Sequence, residues 1–275
     1  MKTKILFFWA VLISVSLAAQ KKPKIAGNKI VSVLSKEINN DFNAVEVNDD
    51  LAINLQQGSS NNYSLNADNN LHTVVQFVVI DSILKIFTTD HITSSKKLEI
   101  DLRVKELEHL IVKHGSKVKS EGQLNSDKFY LSGYNSGRID LDISAEDVTV
   151  ALHRNAGGKL RIKSENTTMI LNDRTDLKAT VVANKVRMTL NNTADLDLNG
   201  DAEYAAFNLK KSSRLNARKM NVRSADLYTS NTSDVYVNAS KNIEVYAQGK
   251  SNVYVYGNPN VEIKGLTDKS KIIKK

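Results

Sequence analysis

The chain has 275 residues, a formal net charge of +8 and no cysteine. Without cysteine there is no disulfide framework, no thiolate metal site and no lipid carried on an N-terminal thiol, so stability must come from the core alone. Lys and Arg alternate with Asp and Asn instead of forming blocks, and no recognition motif accompanies them, which points away from nucleic acid and toward a solvated surface with a mild preference for anionic partners.

The first elements concern export. Lys2 and Lys4 precede an apolar run from Ile5 to Leu17, and the small residues Ala18 and Ala19 follow. Basic end, short apolar stretch and small residues at the cut are the layout of a cleavable secretory signal, so residues 1–19 are expected to leave the mature protein. The run is too short, and Lys21, Lys22 and Lys24 follow it too soon, for a comfortable bilayer span. No stable membrane insertion is therefore expected after its removal. Residues 20–38 read as a linker.

From 39 to 108 the pattern is of strands with a loose repeat. Val45, Val47, Ile53 and Leu55 alternate, as do Leu84 and Ile86, then Leu98, Ile100, Leu102 and Val104. Longer strands are expected here than further on, covering an otherwise open end of the fold, since an uncovered sheet edge invites aggregation.

Residues 109–275 repeat. Apolar residues recur at Val118, Ile139, Leu160, Leu177, Leu196, Leu215, Val235, Val253 and Ile272, about nineteen apart. A small residue lies two positions before each, as at Ser116, Gly137, Thr175, Ala194 and Ser233. Eight positions before runs a second apolar column: Leu110, Leu131, Leu152, Met169, Met188, Phe207, Leu227 and Val245. Asn or Asp recurs four before, at Asn135, Asp173, Asn192, Asn231 and Asp268. Around each register residue the alternation has period two, and no window offers a capped amphipathic helix. Short strands at a fixed period without helices stack on their own copies, so the fold class is all-β, a parallel β-helix (β-solenoid) with about nineteen residues per coil. The small residue fits a tight inner corner, and Asn or Asp tolerates the left-handed backbone of the turn. Residues 39–275 form one such domain.

The opening Phe42-Asn43-Ala44-Val45-Glu46-Val47, then Leu55-Gln56-Gln57-Gly58, the small-x-apolar turns, and the closing Val253-Tyr254-Val255-Tyr256-Gly257-Asn258-Pro259 together resemble the putative auto-transporter adhesin family, also called the head GIN domain. The resemblance covers about residues 38 to 275. It implies a right-handed β-helix in an exported protein of a Gram-negative bacterium, in the periplasm or on the outer cell surface, and it brings no catalytic residues. Turns that are often Gly-Ser-Gly in that family are here Asn, Thr or Ser.

Two surface features are candidates for function. Tyr228 aligns with Tyr246 and Tyr236 with Tyr254, all with outward parity; flat aromatics on an exposed sheet can stack on sugar rings while their hydroxyls hydrogen-bond. These tyrosines are the candidate glycan-binding residues, and the competing reading is a ladder of like rings that stiffens the solenoid. Asp176, Asp195 and Asp197 beside Lys178 and Arg214 imitate the Ca²⁺-holding carboxylates of β-helical lyases, whereas cross-strand charge pairing (Lys159 with Asp176, Asp195 with Arg214, Arg214 with Asp234) explains them without an ion. The five histidines lack metal-ligand spacing, and neither a phosphate loop nor a nucleophile elbow is present. The expectation is a non-enzymatic adhesin-like or scaffold module for a glycan or a surface protein, without cofactor or metal. A polysaccharide lyase or hydrolase on the same fold is the alternative, and a purely structural domain is the third reading.

Overall fold

The structure is a computed structural model and describes residues 22–275. The expected signal, residues 1–19, lies outside the described residues. Among them there is no α-helix, only a short 3-10 turn at Asn69–Leu71.

The body is a stack of long strands, each in parallel register with the next: β11 (Lys117–Gly133), β12 (Arg138–Leu152), β13 (Gly157–Leu171), β14 (Asp176–Leu190), β15 (Asp195–Leu209), β16 (Arg214–Thr229) and β17 (Asp234–Ala247). The chain therefore forms the β-solenoid that its repeat predicts. Every long strand alternates buried and exposed residues and then bends where neighbouring residues both turn outward, as Asn184 and Lys185 do in β14. The bend divides each coil into two faces, residues 176–183 and 185–190 in β14. A tight turn then returns the chain to the next coil. Ala156 N–H donates to His153 O at 3.2 Å and Gly137 N–H to Tyr134 O at 3.0 Å in two of these turns. The inner corner takes Ser116, Ala156, Thr175, Ala194, Ser213, Ser233 and Ser251, all buried. Beside it the backbone is left-handed at Asn135, Asp173, Asn192, Asn231 and Asp268. Burial of each stacked Leu, Val or Phe contributes on the order of 1.5–3 kcal/mol.

Two rungs differ from the sequence reading. Ile139 stands in register with Gly158, not Leu160, and Gly158 with Leu177; Leu160 pairs with Ala179. On the other face Leu131 pairs with Val150, not Leu152. The shift is two residues, so inward parity survives. On the first face the rung position is a glycine: Gly158 has φ +140°, and a Cβ there would run into the carbonyl oxygen of Ile139. The nearest apolar residue, Leu160, takes the burial two places on.

The N-terminal part is built from short strands, contrary to the expectation of longer ones. β3 (Ala44–Val47) and β4 (Ala52–Gln57) form a coil, on which β10 (His109–Val112) and the start of β11 stack. On the other side of that coil lie β7 (Ile83–Thr88) and β9 (Leu98–Val104), later in the chain. Antiparallel strands then cover the end: β5 (Asn62–Asp68) on β9, and β6 (Val75–Ile80) on β7. Residues 20–38, read as a linker, also differ. β2 (Val31–Glu37) pairs antiparallel with β5, and β1 (Lys24–Ala26) pairs parallel with β8 (His91–Ser94). The buried carboxylate of Asp68 ties this start down by accepting the backbone N–H groups of Lys29, Lys96 and Lys97 at 3.0, 3.1 and 3.2 Å. Burial alone would raise its pKa, but the three donors hold it below the ordinary carboxylate value.

At the other end β18 (Asn252–Tyr256) and β19 (Asn260–Leu266) stack on β17, and β20 (Lys271–Lys274) on β18.

Candidate functional site

Stacking by one coil brings like positions together, and it does so for the tyrosines. Tyr228 and Tyr246 stack with ring centroids 5.2 Å apart and planes 6° apart; Tyr236 and Tyr254 stack at 4.6 Å and 6°. The two pairs occupy different faces. Tyr228 lies on the segment entering the turn at 230–233 and Tyr236 on the segment leaving it. Among the described residues no ring of one pair stacks on a ring of the other.

The stacking decides what each ring presents. Parallel strands lie about 4.8 Å apart, so tyrosines on adjacent rungs cover each other's faces and expose edges and hydroxyls. Tyr246 rests its other face on Gly265, where a Cβ would strike the ring. Around Tyr236 and Tyr254 the remaining space holds cations: Arg214 and Arg218 lie 6.0 and 5.4 Å from the Tyr236 centroid, and Lys275 lies 5.7 Å from that of Tyr254. The second pair has a more mixed setting. Gln248 Nε2 donates to Tyr228 Oη at 2.9 Å, and Lys264 bridges Glu244 at 3.5 Å and Glu262 at 2.5 Å.

Asp176 and Asp195 are register neighbours, as are Lys178 and Asp197. Arg214 Nη1 lies 3.4 Å from Asp195 Oδ2, and Asn216 Nδ2 donates to Asp197 Oδ1 at 2.9 Å. Burial pushes the Asp195 pKa up, with Asp197 and Asp176 adding to it and Arg214 opposing. The carboxylates are thus spread along the sheet, and two of them, Asp195 and Asp197, are matched to neighbouring donors. Among the described residues no three His, Cys, Asp or Glu side chains converge on a point that could hold a metal ion. The expected Lys159–Asp176 pairing does not form, because the two-residue shift places Lys159 opposite Lys178 and Gly157 opposite Asp176. Asp195 and Arg214 pair as expected, and Arg214 stands in register with Asp234.

Sequence reasoning missed a grouping of histidines. His109 and His114, close in sequence, and the distant His153 line one groove with Tyr134. The signal was the coil period itself: Tyr134 and His153 follow the paired Gly133 and Leu152, which places one ring above the other.

The sequence matches the family model described as Putative auto-transporter adhesin, head GIN domain, over residues 41–160 and 151–259. Among solved structures, a putative adhesin from Parabacteroides merdae is similar with a TM-score of 0.70 and 16% identity, covering 92% of this chain and 99% of that one. A putative adhesin from Parabacteroides distasonis gives 0.71 at 15% identity, over 92% of this chain and 100% of the other. A structure described as a putative lipid binding protein from the same species gives 0.66 at 16% identity, over 92% and 99%. At such identities the likeness is one of fold. Comparison with curated proteins finds no match.

Proposed function

Because this chain belongs to the putative auto-transporter adhesin, head GIN domain family, we propose that it is an exported, non-enzymatic, adhesin-like module that binds acidic glycans along its last coils. The observation that carries the reading is the Tyr236–Tyr254 stack with Arg214, Arg218 and Lys275 around it. Rings stacked on each other cannot lay their faces on a sugar. Their phenol hydroxyls, in a row beside guanidinium and ammonium groups, suit hydroxyls and carboxylates spaced along a glycan chain. The Tyr228–Tyr246 pair, on the other face, is the second candidate contact, and Lys264 beside it is engaged by Glu244 and Glu262. No helix among the described residues is long and apolar enough to cross a membrane.

The structural reading, in which the tyrosines only stiffen the solenoid, draws support from the seat that Gly265 makes under Tyr246. A glycan array separates the two. The parent is compared with a Tyr236→Ala/Tyr254→Ala variant and a Tyr228→Ala/Tyr246→Ala variant, each shown to be folded. The expected result is binding of acidic oligosaccharides that the first variant largely loses and the second largely keeps. Equal binding by all three, or none by the parent, sinks the proposal and leaves the tyrosines a structural role.

A further inference from the structure

The groove that gathers the histidines lies far from the last coils, where the first regular coils stack on the N-terminal part. It has a volume of about 740 Å³, within the range of roughly 300–1,000 Å³ usual for small-ligand sites. Ile111 and Ser132 are among its lining residues. His109 forms one wall, with Nε2 3.0 Å from Ser132 Oγ, and burial lowers its pKa, so the ring is a neutral hydrogen-bonding group near pH 7. The opposite wall is Tyr134 stacked on His153, with centroids 5.2 Å apart and planes 5° apart.

The polar groups of this wall are oriented in advance. Asn191 Nδ2 donates to Asn172 Oδ1 at 2.8 Å, which turns the Asn172 amide nitrogen toward His153 Nδ1 at 3.3 Å. An amide nitrogen can only donate, so His153 Nδ1 accepts and its proton sits on Nε2. The ladder of turn asparagines thereby fixes the tautomer of a groove-lining histidine.

The charges are unequal in their commitments. Lys113 is engaged by Glu46 at 2.9 Å, and Asn48 also donates to that carboxylate. Burial alone would raise the Glu46 pKa, but the bonds from Lys113 and Asn48 bring it below the ordinary value, so the pair stays ionised and internally balanced. Asp173 accepts from Asn192 Nδ2 at 2.8 Å. Arg154, exposed on the left-handed corner at the groove's end, has neither an ion pair nor a side-chain hydrogen bond among the described residues.

We propose that this groove is a binding site for a single acidic sugar residue, its carboxylate on Arg154 and its hydroxyls on His109, Tyr134 and His153. One uncommitted guanidinium matches one negative charge. A phosphate dianion fits less well, since Asp173 lines the groove and repels a second charge. A neutral sugar leaves Arg154 unused. The site is independent of the tyrosines of the last coils.

The test follows the histidine Cε1–Hε1 signals by NMR while the protein expressed from the full chain is titrated with D-glucuronate, D-glucose or inorganic phosphate. Glucuronate is expected to shift the His109 and His153 signals saturably, with glucose at least about tenfold weaker, the worth of one charge-assisted hydrogen bond. Arg154→Gln reduces glucuronate to the level of glucose, and Arg154→Lys retains part of the difference. No saturable shift at His109 or His153, an unchanged response in Arg154→Gln, or tighter binding of phosphate overturns the proposal. The Tyr236→Ala/Tyr254→Ala protein should titrate like the parent, so failure here is distinguishable from failure of the tyrosine reading on the array.

Discussion

At the inner corner of each coil one small side chain decides between two local chemistries. Ser233 Oγ lies 2.8 Å from the Ser230 carbonyl and 3.0 Å from that of Lys211, so its hydroxyl serves the turn it sits in. Ser116 occupies the same corner near the start of the stack, yet its Oγ is buried without a hydrogen-bond partner. Its counterparts Ala156 and Ala194 show that a methyl group fits there. A buried hydroxyl without a partner keeps its full desolvation penalty, whereas a bonded one returns about 1 kcal/mol net. Ser116→Ala is therefore expected to raise unfolding stability by about 1 kcal/mol, and Ser233→Ala to lower it by about the same amount. Urea unfolding of both variants checks this. Equal destabilisation by both would mean that the corner selects serine for its shape and not for its bond.

At the scale of the strand, Gly158 shows how a ladder keeps its period across a rung with no side chain. Its φ of +140° and the approach of the Ile139 carbonyl leave no room for a Cβ. Gly158→Ala is expected to cost ~2 kcal/mol, combining backbone strain with overpacking; denaturant midpoints measure it, and a loss within error of zero would refute the steric account. The same glycine explains what the sequence could and could not disclose. The coil length and inward parity were legible because apolar columns such as Leu177, Leu196, Leu215, Val235 and Val253 repeat under burial pressure. The rung at Gly158 was not, because nothing apolar marks it and Leu160 keeps the same parity two residues later. β2 was missed for a related reason: apart from partly buried Leu34 its side chains are exposed, so its pairing with β5 leaves no apolar alternation to read. The stacked tyrosines were legible as one-coil repeats, whereas their division between two faces depends on the turn at 230–233. The groove was illegible as a motif, since His109 and His153 meet only through the stacking of coils.

For the whole molecule, the two ends of the stack are protected by different physics. Antiparallel β5 and β6 close the N-terminal end on the side of β9 and β7. At the other end β19 pairs with β17 and β20 with β18, and neither has a second strand beside it among the described residues. Ile263 and Leu266 are 54% and 46% exposed on this end, so hydrophobicity alone would favour pairing with a second copy. The opposite end also carries strands paired on one side only, β2 and β6, but a contact of two like ends is the one that closes on itself, so the isologous pairing is the one considered. That contact sets β20 antiparallel to itself and brings Lys271 of one copy opposite Lys274 of the other, with Lys264 and Lys269 close by on the same end. Like charges directly opposed across a strand pair are destabilising, and lysine on an edge strand is a known means of preventing such pairing. Replacing Lys264, Lys271 and Lys274 by threonine retains strand propensity and removes the repulsion. The variant is expected to double its mass in light scattering at concentrations where the parent is a monomer, and raising the salt should move the parent in the same direction because screening weakens exposed charges. A variant that stays monomeric would show that the geometry of the last rung, and not its charge, prevents the chain from continuing its own ladder into a second molecule.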